Sequence, residues 1–527
     1  MQKIINLLSQ YKYLLFIVLY LVLRLFLLNI NSAEWGDSYR ILRATEYLSS
    51  YSYPDDEKRP PLFSMLLLLN FGFDAITNSR IIMMVISGLI LVSFYYLLKQ
   101  VNLSLTSNQR FLTLVLFAVN PLFLYWSIRI YADSLFLLLM LLALNVFYYF
   151  QRSASKLALP LLSVISVLAI LTRFEGYLLS IILFISIYLT CKKKYDLLFF
   201  LLPLTLLFSL VLLFPQFSFY KNPISSSYVE EVGTRSISLR EVFNFTLQYL
   251  FLLGNLFTIY FLAFSKNNIL KFFKDNLVLL FIVLTHSALA FVWFAAVPRL
   301  FLPIVPILCI IFVKSLEIFF NETFRVSTFA YLKNFWRREY LHYIIPILLL
   351  LTYMLGQAYL KLPFLLTSVS FFALVCFYSL FSLLLIFSHY KKLFISVLII
   401  FNVLWGYFYI SLEKDTLKVL NTATIYFTQN YTPEGNVLTN DISSITRYYL
   451  KEKYVLTSLL SKGRDLTDSI KLNNIDYVII TNEQNPEMSF TPSKHPYLTI
   501  LHEFRQVVGG REFFTYIAKV NEITDKW

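Results

Sequence analysis

Long apolar runs separated by short polar connections dominate the first 412 residues of the chain. Unbroken runs of about 20 apolar residues recur, and a helix of that length crosses roughly 30 Å of hydrocarbon. A helix satisfies its backbone amides within its own segment, as lipid requires, whereas outer-membrane strands alternate apolar and polar positions. The pattern therefore predicts an all-α polytopic membrane domain over residues 1–412.

The apolar runs predict about thirteen transmembrane helices. They begin near Tyr13, Ile81, Phe111, Ala132, Leu157, Tyr177, Leu197, Thr246, Leu277, Leu300, Tyr343, Phe364 and Leu393. The first run, residues 14–30, is longer than a signal-peptide core and has no convincing cleavage site, so we expect an uncleaved span. Residues 62–76 form a shorter apolar stretch with polar interruptions, which we expect to be an interfacial helix on the outer surface.

The distribution of lysine and arginine predicts the orientation of the chain. With a cytoplasmic N-terminus and residues 62–76 not crossing, the inner loops hold 19 basic and 5 acidic residues, and the outer loops 13 and 12. Such an excess of basic residues is typical of cytoplasmic loops. Thirteen spans would then place residues 413–527 on the extracytoplasmic side of the plasma membrane.

Composition agrees with a membrane protein. Of the 527 residues, 58% are hydrophobic and only 14% are charged, and the mean hydropathy is +0.66. A net charge of +14 would suggest nucleic acid binding in a soluble protein, but the basic inner loops account for it and we expect no nucleic acid partner. The three cysteines form no Cys-x-x-Cys pair, which argues against a disulfide framework or a thiolate metal site.

Residues 413–527 follow a different pattern. Short runs rich in β-branched and aromatic residues predict strands at 437–439, 454–456, 477–481, 498–504 and 513–520. Asp441 and Asp465 are placed to cap two helices between these strands. The segment is long enough for a small α/β domain, which we expect outside the membrane.

Ionisable residues beside apolar runs are costly in lipid and tend to mark functional sites or internal ion pairs. Four such clusters lie at the outer surface in the predicted topology, around Asp37, Arg59, Asp133 and Arg299. Two outer segments, 31–79 and 215–241, are also longer than simple turns, and long loops are often functional. The convergence of the four clusters from distant parts of the chain predicts a site on the outer face.

The first cluster offers carboxylates, and the second offers basic residues. Asp37, which follows Glu34 closely, could act as a general base for an acceptor hydroxyl, or could simply cap the next helix. Arg59, next to Lys58, could pair with a phosphate or with Asp37, while contact with lipid headgroups is the structural alternative.

The other two clusters offer a second carboxylate and a separate guanidinium. Asp133 could face Asp37 across the site, although Arg129 lies four residues earlier and could pair with it on a helix. Arg173 and Glu175 form a similar pair, for which a structural role is favoured. Arg299 stands alone between two apolar runs, where its planar guanidinium is suited to a lipid phosphate or, alternatively, to headgroups.

These residues, in this order, resemble the polytopic GT-C glycosyltransferases. The resemblance is to the family 39 dolichyl-phosphate-mannose protein mannosyltransferases and the bacterial lipid A aminoarabinose transferases. Their acidic motif after the first span matches Asp37, their His- or Arg-Pro-Pro-Leu element matches Arg59 to Leu62, and their Arg-Tyr-x-x-Pro element matches Arg299 to Pro303. Their Asn-Pro to Asp stretch resembles Asn120 to Asp133. Here Leu300 replaces the usual Tyr, and Ser38 replaces the Glu of the mannosyltransferases.

The resemblance implies an inverting enzyme that moves a hexose or pentose from a polyprenyl-phosphate donor to a glycan, lipid or protein acceptor. Asp37 would orient or deprotonate the acceptor hydroxyl, and Arg299 and Arg59 would hold the phosphate leaving group. Asp133 would steady the site or bind a metal. The remaining candidates are supporting residues: Glu34, Lys58, Arg129, Arg173 and Glu175. Relatives differ over metal use, so neither a cofactor nor a divalent metal is assigned.

Two other classes of protein stay as alternatives. A transporter or flippase of lipid-linked glycans predicts ionisable residues near the bilayer midplane and broken helices in paired halves, whereas here the charges lie at one face. A polysaccharide polymerase or ligase predicts its catalytic groups in a large late outer loop, for which residues 215–241 are the candidate. His286, inside a predicted span, is expected to be a satisfied core histidine.

Overall fold

The computed structural model describes residues 2–212, 266–292, 298–319, 391–456 and 470–521. Within these ranges it leaves out residues 55–56, 58, 102–104, 191–193, 442–443, 452, 471–472, 484–489, 491–492, 494 and 509–510. The described part is mostly helical and carries one small β-sheet near its C-terminal end. The coarse expectation of a helical domain followed by a mixed α/β segment is therefore confirmed.

The helices of the first 212 residues are α1 (Gln2–Phe26), α2 (Gly36–Ser49), α3 (Leu62–Leu66), α4 (Ala75–Gln100), α5 (Ser107–Ala118), α6 (Pro121–Trp126), α7 (Ala132–Ser153), α8 (Ala158–Ile170), α9 (Glu175–Thr190) and α10 (Leu198–Leu212). Later helices are α11 (Lys266–Asp275), α12 (Leu277–Val292), α13 (Val305–Phe319), α14 (Lys391–Glu413), α15 (Lys418–Asn430) and α16 (Ile445–Leu450). Two 3₁₀ turns, Lys194–Leu197 and Pro298–Ile304, lead into α10 and α13.

Helices α4 and α7 are, among the described residues, the two that are long and apolar enough to cross a membrane. Other predicted spans coincide with shorter apolar helices, so the count of thirteen stays a prediction. The spans predicted near Thr246, Tyr343 and Phe364, and the outer loop 215–241, lie outside the described residues.

The interfacial helix predicted for residues 62–76 is wrong in its extent. Helix α3 is only five residues long, and Gly72 adopts a φ of +86° in the connection that follows it. A new helix, α4, then begins under a cap from Asp74, whose Oδ1 accepts the N–H groups of Ile76 at 3.1 Å and Thr77 at 3.0 Å. Since an N-cap residue is not itself helical, the cap separates the two helices.

The span predicted to begin near Phe111 is also interrupted. Helix α5 ends at Ala118, and the Asn120 side chain then accepts the N–H of Leu122 at 3.0 Å as the N-cap of α6. Pro121 occupies the first turn of α6, where its missing N–H costs nothing. The Asn-Pro pair thus separates α5 from α6 and starts the second helix.

The C-terminal sheet has five strands in the order β2-β1-β3-β5-β4. The strands are β1 (Asn436–Thr439), β2 (Tyr454–Leu456), β3 (Ile475–Thr481), β4 (Leu498–Val508) and β5 (Arg511–Val520). The first three are parallel, and β5 pairs antiparallel with β3 and β4. Each strand predicted from the sequence is present, because short runs of β-branched and aromatic residues leave a clear local pattern in this segment.

Asp441 lies directly after β1 and binds the first turn of α16, where its Oδ2 accepts the backbone N–H of Thr446 at 2.8 Å. The helix predicted to run from Asp441 through Tyr449 is present as Ile445–Leu450, but its N-cap residue is Ser444, so Asp441 binds the first turn without being the N-cap residue. The helix predicted after Asp465 lies outside the described residues. Helix α15 packs against β4 and β5, while α16 packs against both α15 and α2. The sheet is consequently joined to the helical part of the chain through α2.

Glu483, just after β3, fixes the start of α15 and should make stability depend on pH. Its carboxylate accepts the N–H of Leu420 at 2.8 Å and that of Val419 at 3.3 Å. Burial nevertheless raises the pKa of Glu483 from 4.5 to about 7. Between these pH values the folded chain holds a proton that the unfolded chain has lost, so stability should fall as the pH rises through this window.

The expected result is a melting temperature of the detergent-purified protein that is higher at pH 5 than at pH 8. Glu483→Gln should remove most of that difference because it leaves nothing to titrate at this position. An unchanged pH slope in Glu483→Gln would show that another group is responsible.

Candidate active site

Asp37 lies in the first turn of α2, where its two carboxylate oxygens face two guanidinium groups. Oδ1 is 2.6 Å from Nη2 of Arg59, and Oδ2 is 3.5 Å from Nη2 of Arg299. The N-cap residue of α2 is Trp35, whose side chain makes no cap hydrogen bond, and Asp37 is therefore not the N-cap residue. The structure therefore shows Asp37 as an ion-pair partner, and the alternative of a capping role does not apply.

Arg59 reaches Asp37 from the non-helical segment that precedes α3. Its Nη1 also contacts Glu57 Oε1 at 3.0 Å, and its backbone carbonyl accepts the Tyr53 hydroxyl at 2.7 Å. The end of α8 also holds this segment, because the N–H of Leu62 donates to the carbonyl of Leu171 at 2.9 Å. Arg59 is thus placed by several contacts, and not by its pairing with Asp37 alone.

Arg299 bridges two carboxylates, contrary to the expectation that it stands alone. Its Nη2 faces Asp37 at 3.5 Å, and its Nε faces Asp133 Oδ1 at 3.9 Å. The guanidinium also lies 4.7 Å from the ring centroid of Tyr131 and 5.7 Å from that of Trp126. The 3₁₀ turn that carries Arg299 packs against α6 and α7, which brings it to partners that are remote in sequence.

Asp133 begins a chain of paired charges behind Arg299. Its Oδ1 is 2.5 Å from Nη1 of Arg173, and its side chain is 5% exposed. Arg173 in turn donates from Nε to Glu175 Oε2 at 3.0 Å. The second oxygen of Asp133 has no hydrogen-bond partner among the described residues. Asp133 therefore both anchors Arg299 and keeps one buried acceptor atom available.

The charges around Asp37 keep its carboxylate ionised. Burial alone would raise the pKa of Asp37, but the adjacent guanidinium groups of Arg59 and Arg299 outweigh burial, and its pKa lies well below its usual range. Both guanidinium groups already bind a carboxylate, so they are oriented to bind another oxyanion in its place. The arrangement can hold a phosphate and, once the arginines turn to that phosphate, release a carboxylate as a proton acceptor.

The other residues predicted from the sequence lie in different surroundings. Glu34 is buried and pairs with Arg80 of α4, its Oε1 being 2.8 Å from Nε, so it ties the start of α2 to α4. Arg129 is buried with its guanidinium 5.1 Å from the ring centroid of Tyr125. Lys58 lies outside the described residues. The structure thus brings together Asp37, Arg59, Asp133 and Arg299, together with Arg173 and Glu175.

His286 differs from the expectation of a satisfied core histidine. It is 1% exposed in α12, and neither ring nitrogen has a hydrogen-bond partner among the described residues. Its ring lies 5.9 Å from that of Phe136, an apolar neighbour that offers no acceptor. The sequence did not predict that the aromatic rings of Trp126 and Tyr131 lie beside Arg299. The only sequence signal for these two rings is that aromatic residues flank Arg129.

No group of three or more His, Cys, Asp and Glu side chains in the described ranges is arranged to hold a metal ion. The charged residues of the site are arginines paired with carboxylates, a set that suits an oxyanion ligand. No metal is therefore assigned to the site.

The sequence matches no protein-family model and no curated protein. Solved structures do share its fold. ArnT from Cupriavidus metallidurans bound to undecaprenyl phosphate superimposes with a TM-score of 0.59 at 13% identity, over 96% of this chain and 98% of that chain. The archaeal oligosaccharyltransferase AglB from Archaeoglobus fulgidus, in complex with an inhibitory peptide and a dolichol-phosphate, gives 0.52 at 12% identity, over 98% and 75%.

Both neighbours belong to the GT-C superfamily of membrane glycosyltransferases. The chain has their fold, so the GT-C fold expected from the order of the motifs is confirmed. At these identities the likeness establishes the fold alone, and the chemistry has to be argued from the site.

Proposed function

We propose that this chain is an integral membrane glycosyltransferase that moves a sugar from a polyprenyl-phosphate donor to an acceptor on the outer face of the membrane, with inversion. The observation that carries the proposal is the Asp37 carboxylate held between the guanidinium groups of Arg59 and Arg299. ArnT is seen with undecaprenyl phosphate and AglB with a dolichol-phosphate, which supports a lipid phosphate as the ligand of these two arginines.

In this proposal Arg299 and Arg59 bind the phosphate leaving group and stabilise its charge. The donor is a phosphodiester with one negative charge, and its phosphate gains a second charge when the bond to the anomeric carbon breaks. Guanidinium groups already placed in a partly buried site stabilise such developing charge without reorganising. Their planar donors also fix the phosphate by paired hydrogen bonds, which orients the sugar for attack.

In the same proposal Asp37 is the general base for the acceptor hydroxyl. When the phosphate draws the two guanidinium groups, the carboxylate loses its partners and becomes available to the acceptor hydroxyl. The hydroxyl oxygen then bonds to the anomeric carbon, the bond from that carbon to the phosphate oxygen breaks, and the hydroxyl proton passes to Asp37. A single displacement of this kind inverts the anomeric centre and passes through an oxocarbenium-like state.

Asp133 supports the site by holding Arg299. It contacts Arg299 on one side and Arg173 on the other, and Glu175 balances the second guanidinium. Buried ionised groups are tolerated when they are paired in this way. Asp133 thereby keeps Arg299 beside Asp37 when no donor is bound.

The topology and the division of the chain are part of the same proposal. Residues 1–412 would form the membrane domain with a cytoplasmic N-terminus, and residues 413–527 would lie outside the plasma membrane. Contacts between the first outer segment and the C-terminal segment support a common side, since the N–H of Ser32 donates to the carbonyl of Lys414 at 2.9 Å. The site would then face the leaflet in which the lipid-linked sugar presents its head group.

Mass spectrometry of glycans and lipids from a strain that lacks the gene tests the proposal. One sugar should disappear from a glycan, lipid or protein, and its polyprenyl-phosphate form should accumulate. Purified protein in liposomes should then transfer that sugar, which a flippase would not do. An unchanged set of glycans and lipids, or donor movement without transfer, would contradict the enzyme assignment.

The charges around Asp37 predict the pH dependence of that transfer. Because the pKa of Asp37 lies well below its usual value, kcat/KM should stay flat as the pH falls from 7 to 5. Arg59→Ala removes an adjacent positive charge, so the pKa of Asp37 should rise and activity should be lost at a higher pH. Initial rates between pH 4.5 and 8, with Arg505→Ala as a surface control, measure this shift. An acidic limb at the same pH in the wild type and in Arg59→Ala would refute it.

A further inference from the structure

The geometry points to Tyr39 and Asn421 as positioning residues for transfer: their hydrogen bond lets the C-terminal segment fix helix α2 and, through it, Asp37. The Tyr39 hydroxyl donates to Asn421 Oδ1 at 3.0 Å across 382 positions of sequence. The inference rests on the proposed function, because it concerns the placement of the proposed base. It gives the C-terminal segment a part in a reaction whose charged groups all belong to the membrane part of the chain.

Helix α2 presents Asp37 and Tyr39 on different faces. Two residues apart on an α-helix correspond to a rotation of about 200°, so the two side chains point in nearly opposite directions. Asp37 faces Arg59 and Arg299, while Tyr39 is fully buried against the C-terminal segment. A contact that holds Tyr39 therefore sets the rotation of α2 about its axis without touching the substrate side.

The start of α2 depends on contacts from outside the helix. Its N-cap residue, Trp35, makes no side-chain cap hydrogen bond. The Tyr39 hydroxyl accepts the N–H of Glu34 at 3.4 Å while donating to Asn421. One hydroxyl thus links the preceding loop, the first turn of α2 and the C-terminal segment. Loss of this hydroxyl would remove the hydrogen bonds that join these three elements at the start of α2, the helix that carries Asp37.

Helix α16 covers the same face of α2. The rings of Tyr448 and Tyr449 lie 5.6 Å and 6.2 Å from the Tyr39 ring, and Arg40 Nε donates to Ser444 Oγ at 3.0 Å. These ring contacts survive removal of the Tyr39 hydroxyl, so a phenylalanine at this position should keep the packing. The hydroxyl can therefore be tested separately from the ring.

Asn421 is itself held firmly, which makes it a suitable reference point. The first turn of α15 donates two backbone N–H groups to Glu483, at the end of β3. The connection before α15 is bound by Ser32, whose hydroxyl donates to Asp415 Oδ1 at 2.9 Å. The sheet thus holds α15 in place, α15 holds Tyr39, and Tyr39 holds the turn of α2 that carries Asp37.

Transfer depends steeply on the position of Asp37, whereas lipid phosphate binding depends on arginines in other elements. A misplacement of about 1 Å at a reacting group can reduce a rate by about 100-fold. We expect a smaller effect, about tenfold, because the aromatic contacts keep α2 near its place when the hydrogen bond is lost. Binding of undecaprenyl phosphate should stay within about twofold of wild type.

Tyr39→Phe and Asn421→Leu test the inference, with Asn421→Asp as the variant that keeps the acceptor oxygen. Each variant is returned to the deletion strain, and product is measured by mass spectrometry per amount of folded protein in the membrane. Purified variants are tested for undecaprenyl phosphate binding by native mass spectrometry. Tyr39→Phe and Asn421→Leu should each lose about nine-tenths of the product, the double variant should lose no more, and Asn421→Asp should recover most of it.

Two variants serve as matched controls and should transfer at the wild-type rate. Tyr51→Phe removes a hydroxyl from a residue that is 90% exposed just beyond α2, and Thr428→Val removes one from an exposed position on α15. Wild-type product in Tyr39→Phe and Asn421→Leu would overturn the inference, as would an equal loss of product and phosphate binding. Wild-type product in Asp37→Asn would instead overturn the proposed function, so the two failures can be told apart.

Discussion

Asp37→Asn is expected to abolish sugar transfer while it leaves undecaprenyl phosphate binding as tight as in wild type, or tighter. The amide cannot accept the proton of the acceptor hydroxyl, and a general base typically contributes about 100-fold to 10,000-fold in rate. The amide also carries no charge, so it competes less with the phosphate for Arg59 and Arg299, which contact Asp37 at 2.6 Å and 3.5 Å. Loss of activity combined with retained binding is the signature of a base.

Product in the complemented deletion strain measures the first part of this prediction, and native mass spectrometry with undecaprenyl phosphate measures the second. Glu46→Gln is the matched control, because it makes the same chemical change at an exposed position of the same helix. It should transfer at the wild-type rate. Substantial product from Asp37→Asn would remove Asp37 from the role of base.

Arg299→Ala should weaken undecaprenyl phosphate binding by about 10-fold to 100-fold. Hydrogen bonds to charged groups contribute about 1.5–3 kcal/mol each, which corresponds to this range. The variant also leaves Asp37 and Asp133 without a shared cation, and two nearby carboxylates repel a phosphate. Arg299→Lys should recover only part of the affinity, because an ammonium group is a point charge and cannot make the paired contacts of a guanidinium.

Arg505→Ala is the control for this loss of a guanidinium. Arg505 is half exposed on β4, where it pairs with Glu512 at 2.7 Å, far from the site in the chain. Its loss should leave undecaprenyl phosphate binding unchanged. Equal affinities of Arg299→Ala and wild type would show that the phosphate binds elsewhere.

The sequence identifies the charged residues of the site but not their partners. Asp37, Arg59, Asp133 and Arg299 are found because ionisable groups beside apolar runs have few structural uses. That Arg299 lies between two carboxylates depends on how the 3₁₀ turn packs against α6 and α7, and no local pattern records this packing.

The elements show the same division between local and tertiary information. The strands are predictable because their pattern is local, and the cap by Asp74 could have been recognised as a helix start in the stretch expected to be one helix. The bond from Tyr39 to Asn421 joins positions 382 residues apart and involves residue types that occur throughout the chain. Only the fold makes that pair visible.

The most direct test of the site is an electron cryomicroscopy structure of the protein in a lipid nanodisc containing undecaprenyl phosphate. We predict that the phosphate lies within about 3.2 Å of guanidinium nitrogens of both Arg299 and Arg59, on the side of the membrane that carries the C-terminal sheet. Asp37 should then have lost its contact with at least one of the two arginines. A phosphate bound away from both arginines, or at the opposite face of the membrane, would contradict the account.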